Sequence, residues 1–245
     1  MKYFIKNNIA SRFRYAIVSA ALIFLLVSCG TNKQDTKSGN EPPYWNDILN
    51  FKKQDSISFP PKNAILFIGS SSFTNWKDVQ DYFRGYTIIN RGFGGSALPD
   101  QIRYADDIIF PYQPKQIVIY CGENDLASSD TVTASIVFDR FKELFQLIKQ
   151  KFADIPLVYI SMKPSPSRRH LFKKMQEANM QVAAFLYNDN LLNLTKNKNI
   201  FIDVYTKMLN KAGQPIPEIF LDDSLHMNAK GYAIWQKLIE PYLLK

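Results

Sequence analysis

Ala64-Ile65-Leu66-Phe67-Ile68 is an apolar run of strand length, and Gly69-Ser70-Ser71-Ser72-Phe73-Thr74-Asn75-Trp76 follows it at once with a small, polar opening. The same figure returns along the chain. Residues 86–90, 116–120, 157–161 and 200–204 are further apolar runs that read as strands. Between them lie longer amphipathic stretches, the longest over residues 132–152 and 171–194, with a last one over 229–243. Strand and helix taking turns five times predicts an α/β domain whose parallel sheet is covered by helices on both faces. In such sheets ligands collect where chains leave the carboxyl ends of the strands. The chemistry of this chain is therefore to be sought in its post-strand loops.

Composition agrees with a folded domain. Of 245 residues, 46% are hydrophobic and 21% charged, which excludes wholesale disorder, collagen-like repeats and a multi-span membrane protein. The formal charge of +8 falls unevenly: Lys2, Lys6, Arg12 and Arg14 lie in the first 28 positions, which hold no acid. The remaining 217 residues carry a charge near +4, a mild excess that does not argue for a nucleic-acid partner.

The basic start leads into 13 mostly apolar residues, 15–27, and then Ser28-Cys29-Gly30. A helix of that length spans roughly 20 Å, short of the ~30 Å hydrocarbon core, and suits a cleavable signal peptide better than a permanent anchor. Leu26-Val27-Ser28-Cys29 resembles the bacterial lipobox, which implies that Cys29 is acylated and becomes the mature N-terminus. A plain membrane anchor with an incidental cysteine is the alternative. With Cys29 consumed, only Cys121 remains, so no intrachain disulfide forms in a protein bound for an oxidising compartment. The expected organisation is a lipoprotein signal peptide over 1–28, a lipidated cysteine and polar tether over 29–42, and one domain over 43–245 without internal repeats. The expected location is the bacterial cell envelope, attached to a membrane through the lipid.

Four segments of the domain carry candidate chemistry. A serine in the first loop becomes a nucleophile only with a partner base and an exposed turn; otherwise Ser70-Ser71-Ser72 is a helix cap. The second loop, Asn90-Arg91-Gly92-Phe93-Gly94-Gly95-Ser96-Ala97, reads two ways. Gly92, Gly94 and Ala97 satisfy the dinucleotide pattern, with Glu123 as the ribose acid. Alternatively, the glycines bring a backbone N–H close to a reacting carbonyl as one oxyanion donor, and Ser96 is then a competing nucleophile. The third loop, Cys121-Gly122-Glu123-Asn124-Asp125, offers an asparagine amide that donates to an oxyanion without carrying charge, or else an Asx-capped turn. Of two histidines, only His226 follows an acid usefully, in Leu221-Asp222-Asp223-Ser224-Leu225-His226. An aspartate three positions earlier fixes the ring tautomer, which favours Asp223 over Asp222. His170, in Arg168-Arg169-His170, reads as a surface residue. Two isolated histidines and one spare cysteine make a metal site improbable.

Together these four ordered blocks resemble the SGNH (GDSL) hydrolase family, from about Pro61 to Leu243. The resemblance implies a three-layer α/β/α, flavodoxin-like fold with a five-stranded parallel sheet. It also implies Ser71 as nucleophile, and an oxyanion hole from the N–H of Ser71, Gly95 and Asn124. Asp223 and His226 match the family's D-x-x-H, with His226 as general base and then acid. Ser70 and Ser72 stand where the family name has Asp and Leu, so Ser71 is chosen by register. The implied reaction is two-step acyl transfer that needs no metal or organic cofactor.

Within that family the short, polar loops favour a small acyl group, such as acetyl on a sugar, over a fatty acyl chain. A lysophospholipase or thioesterase is the alternative, and a non-catalytic envelope binding module a more distant one. Lys163 and Arg168 in the loop after the fourth strand are candidates for holding an acidic sugar or phosphate, against a purely structural Pro-rich turn. Phe93, with Phe73 and Trp76, is a candidate platform for a sugar ring, against burial in the core.

Overall fold

The first strand, β1, is Ile65–Gly69, and all five of its residues are buried. Successive side chains of a strand point to opposite faces. Leu66 and Ile68 enter one apolar cluster, Ile65 and Phe67 another. Burial on both sides is why the run shows no polar alternation in the sequence. In the computed structural model, which describes residues 41–193 and 198–245, β1 is joined by β2 (Ile88–Gly92), β3 (Gln116–Tyr120), β4 (Leu157–Ile160) and β5 (Ile200–Ile202). The five pair in parallel in the order β2-β1-β3-β4-β5. The expected signal peptide, Cys29 and all but the last two residues of the 29–42 tether lie outside the described residues, as does Leu194.

Nine α-helices stand among the described residues: α1 (Trp45–Ile57), α2 (Ser71–Thr74), α3 (Val79–Tyr82), α4 (Leu98–Arg103), α5 (Ala105–Ile108), α6 (Glu123–Ser128), α7 (Ala134–Lys151), α8 (Phe172–Leu192) and α9 (Ala229–Ile239). One face of the sheet packs against Ile48 of α1, Leu98 of α4, Ile108 of α5, Phe141 of α7 and Val182 of α8. The other packs against Phe73 of α2, Val79 of α3 and Trp235 of α9. The result is the three-layer α/β/α, flavodoxin-like arrangement. No helix among the described residues is long and apolar enough to cross a membrane.

The elements differ from the sequence reading mainly at their ends. β2 starts two residues later than read, because Tyr86 closes a turn on Phe83 and its carbonyl accepts from Gln80. β5 stops at Ile202, since the Val204 N–H is taken by the Ser161 hydroxyl. The last helix ends at Ile239, ahead of Pro241, which has no N–H to continue it. α1 stands at the start of the domain, where no helix is expected, and only Ile48 of its residues is buried. A polar contact helps pin it: Arg91 of β2 donates to the Tyr112 hydroxyl at 2.6 Å, and both Arg91 and Tyr112 bond Asp55.

Register matters most at the carboxyl edge. Gly69 pairs with Gly92 on one side and Tyr120 on the other, so three loops open side by side where the strand order changes direction. Gly69 has φ +143°, and a Cβ there would lie 2.0 Å from the Tyr120 carbonyl oxygen. That oxygen belongs to backbone and cannot swing away. Gly69→Ala is therefore expected to lower the unfolding free energy by more than about 2 kcal/mol, read as a shifted urea midpoint of the soluble domain.

Candidate active site

Beyond Gly69 the chain turns sharply. The Ser70 N–H donates to the Tyr120 carbonyl at 3.1 Å, and the single turn of α2 starts at Ser71. Ser70 and Ser72 are 4% and 1% exposed, whereas Ser71 is half-buried and reaches the surface. A serine at the first position of a helix has its N–H free of intrahelical bonding.

The histidine arrives from the far end of the chain. An antiparallel bridge between Phe220 and Met227, and a bond from the Leu221 N–H to the His226 carbonyl, close a tight turn over Asp223. One carboxylate oxygen of Asp223 accepts the N–H of Leu225 and of His226, each at 2.9 Å. Its other oxygen lies 2.6 Å from His226 Nδ1, and His226 Nε2 lies 3.0 Å from Ser71 Oγ. A carboxylate at Nδ1 holds the proton there and leaves Nε2 to accept from the serine hydroxyl. Partial burial works to raise the Asp223 pKa, but the His226 N–H, the imidazole and the Leu225 N–H outweigh it and hold it at about 2. Asp222 is exposed, and His170 is exposed on a 3-10 turn.

The glycine loop runs beside the serine. A Cβ on Gly92 would meet the Phe73 Cβ at 2.5 Å, and one on Gly94 would sit 4.0 Å from the Ser71 Cβ. Gly95, at φ +82°, is exposed; its N–H donates to no backbone carbonyl among the described residues, and its own carbonyl accepts from Tyr44 Oη at 2.9 Å. Asn124, in the first turn of α6, donates from Nδ2 to the Ser96 carbonyl at 3.0 Å. Ser71, Gly95 and Asn124 thus stand at the ends of β1, β2 and β3, with donors to spare.

The sequence profile of the GDSL-like Lipase/Acylhydrolase family matches residues 55–234. The chain belongs to this family. As a GDSL hydrolase it is a carboxylic ester hydrolase. No curated protein sequence matches it. Solved structures share its fold: a Streptococcus pneumonia protein provisionally named a platelet activating factor (19% identity, TM-score 0.69, 94% of this chain and 99% of that one); a GDSL-like lipase from Bacteroides thetaiotaomicron (21%, 0.65, 79% and 95%); and a carbohydrate esterase family 3 protein from Talaromyces cellulolyticus (11%, 0.56, 73% and 95%).

Other expected site residues of this GDSL hydrolase turn out to be built into its framework. Ser96 is fully buried; its Oγ donates to the Phe93 carbonyl at 2.8 Å and accepts from Gln101 at 2.9 Å, so it is no competing nucleophile. Phe93, Phe73 and Trp76 are all 0% exposed, and Phe93 packs edge-on against Tyr44 and Tyr104, so none of the three offers a face to a sugar. Lys163 does not reach the surface either. It is 2% exposed, with Nζ 2.9 Å from Glu123 Oε2. Glu123 also accepts from Tyr120 Oη at 2.6 Å and Ser165 Oγ at 2.9 Å, which leaves it no part as a ribose acid. Desolvation works to raise the Glu123 pKa, yet the Lys163 charge and these bonds keep it below the usual range. Arg168 is mostly buried and points inward, to the Asn124 Oδ1 at 3.0 Å and the Glu123 carbonyl at 3.2 Å.

Tyr44 is the rim residue that the sequence reading lacks. It lies 51 positions before Gly95, and no local pattern joins the two. The Lys163–Glu123 pair is equally silent in sequence, but it carries a test. Lys163→Met strands a buried carboxylate, and the unfolding free energy is expected to fall by about 3–5 kcal/mol at neutral pH. Because the folded Glu123 pKa is depressed, its stabilisation is complete above the unfolded value of roughly 4.3 and fades as pH drops through the folded one. Denaturant unfolding between pH 7 and pH 3 reads both effects; a higher KM at unchanged stability would instead mark Lys163 as a substrate contact.

Proposed function

We propose that the protein is a serine esterase that works through an acyl-enzyme on Ser71 and removes small acyl groups, acetyl foremost, from carbohydrate esters. The observation that carries the mechanism is the unbroken line from Ser71 Oγ through His226 to Asp223, with contacts of 3.0 and 2.6 Å. Ser71 Oγ attacks the ester carbonyl as Nε2 of His226 takes its proton. The imidazolium, steadied by Asp223, passes that proton to the departing alcohol oxygen as the C–O bond breaks. Water then attacks the acyl-enzyme, gives a proton to His226, and the acid leaves as Ser71 recovers its hydrogen. The N–H groups of Ser71 and Gly95 and the Asn124 amide stabilise the oxyanion in both steps.

The small-acyl reading is supported by the surroundings of Ser71. Phe73, Trp76 and Phe93, which flank the serine and glycine loops, are spent in the core, which leaves these three unable to line an acyl channel. A fold shared with a carbohydrate esterase supports a sugar as the alcohol. The basic, apolar and cysteine-ended N-terminal sequence supports a mature protein held in the bacterial cell envelope by a lipid on Cys29.

Rates on p-nitrophenyl esters from acetate to decanoate are expected to fall steeply with chain length. Ser71→Ala should remove about 10⁴-fold or more of the acetate activity, and Asp223→Asn on the order of a hundredfold or more. A decanoate optimum would move the substrate to lipids. For the location, Cys29→Ser is expected to move the protein from the membrane fraction to the soluble one and to abolish the acyl mass on the N-terminal peptide.

A further inference from the structure

We infer that Arg168 is a positioning residue for ester hydrolysis: its guanidinium orients and polarises the Asn124 amide, so that the remaining Nδ2 hydrogen is presented to the oxyanion. The inference rests on the proposed serine-esterase reading and assigns a role within it that the catalytic line does not require. A guanidinium only donates and a carbonyl oxygen only accepts. With Arg168 Nη2 3.0 Å from Oδ1 and Nδ2 3.0 Å from the Ser96 carbonyl, the amide has one orientation and one uncommitted N–H. A cation bonded at Oδ1 draws electron density from the amide and makes that N–H a stronger donor.

Arg168 is itself held on several sides. Its Nη1 donates to the Glu123 carbonyl at 3.2 Å, and its Nε lies 3.8 Å from the Glu123 carboxylate. That carboxylate is fixed in turn by Lys163, Tyr120 and Ser165. The Arg168 side chain is 17% exposed, so water competes little for the fork. Its backbone, at φ −110° and ψ 22°, interrupts the 3-10 turn Pro166–Leu171 and turns the side chain off the helical path. The same loop also grips the base-bearing turn, through the Ser167 N–H on the Ser224 carbonyl at 3.0 Å and Ser165 Oγ on the Leu225 carbonyl at 3.5 Å. One loop thereby references both the oxyanion side and the histidine side of the site.

A double-mutant cycle on p-nitrophenyl acetate hydrolysis separates this role from a substrate contact. Asn124→Ala is expected to lower kcat by about 10²–10³-fold, as for an oxyanion donor. Arg168→Met should lower kcat by about tenfold or more with KM within about twofold, and should cost less than about twofold further in the Asn124→Ala background. Arg168→Lys keeps a positive charge beside Glu123 but loses the fork; it guards against a misfolded variant and should show the same dependence on Asn124. Equal Arg168 losses with and without Asn124, or a change confined to KM, would overturn the inference while leaving the esterase intact. A wild type without ester hydrolysis, or one whose rate Ser71→Ala leaves unchanged, would overturn the esterase reading itself.

Discussion

The approach of Gly69 to the Tyr120 carbonyl, so close that no Cβ fits between them, sets the geometry on which the site depends. With no side chain at Gly69, β1 and β3 end level, and the Ser70 N–H closes onto the same carbonyl. The turn that follows must place Ser71 at the first position of a one-turn helix, half-buried but reaching the surface and with its own N–H unspent. Every other part of the site is measured from that point. The glycine loop fits beside the serine turn because Gly92 presents no Cβ toward Phe73. The histidine turn meets the serine from 155 residues away, with its aspartate already bonded to the ring.

Beneath these loops lies a second constraint, electrostatic rather than steric. Glu123 is a buried carboxylate, and a buried charge must be paired and fully hydrogen-bonded. Lys163, Tyr120 and Ser165 meet that demand from β3 and from the loop after β4. In doing so they lock the two loops together directly under Asn124 and Arg168. Asp125, the next acid, serves similarly: it accepts the Leu98 N–H at the start of α4 and pairs with Arg140 of α7. The polar loop after β3 is thus mostly buried scaffold, with Asn124 the one residue of 121–126 that is not buried.

Burial of polar loop residues explains much of what was legible in the chain and what was not. The strands were readable because short apolar runs recur in alternation with longer amphipathic stretches, and burial of β1, β3 and β4 on both faces keeps their runs unbroken. Asp223 and His226 were marked by a local spacing with chemical meaning, whereas Ser71, Gly95 and Asn124 were singled out by the resemblance of four ordered blocks to a family, not by any one pattern alone. Lys163 and Phe93 were misread as substrate contacts because a charged or aromatic residue in a post-strand loop looks the same whether its side chain turns outward or inward. Tyr44, α1 and the tie between Arg168 and Asn124 left no mark, since their partners lie 36 to 57 positions away in sequence.

The sequence by itself determined the alternation of strands and helices, the family, and the residue types available for acyl transfer, because periodicity and short motifs are local properties of a chain. Only the tertiary structure decided which of three adjacent serines reaches the surface, which charges are sealed under the site and which side chain bonds the asparagine amide. Those outcomes depend on the direction of side chains across strands that are neighbours in space and not in sequence. A loop residue's fate is set by what the other strands bring against it.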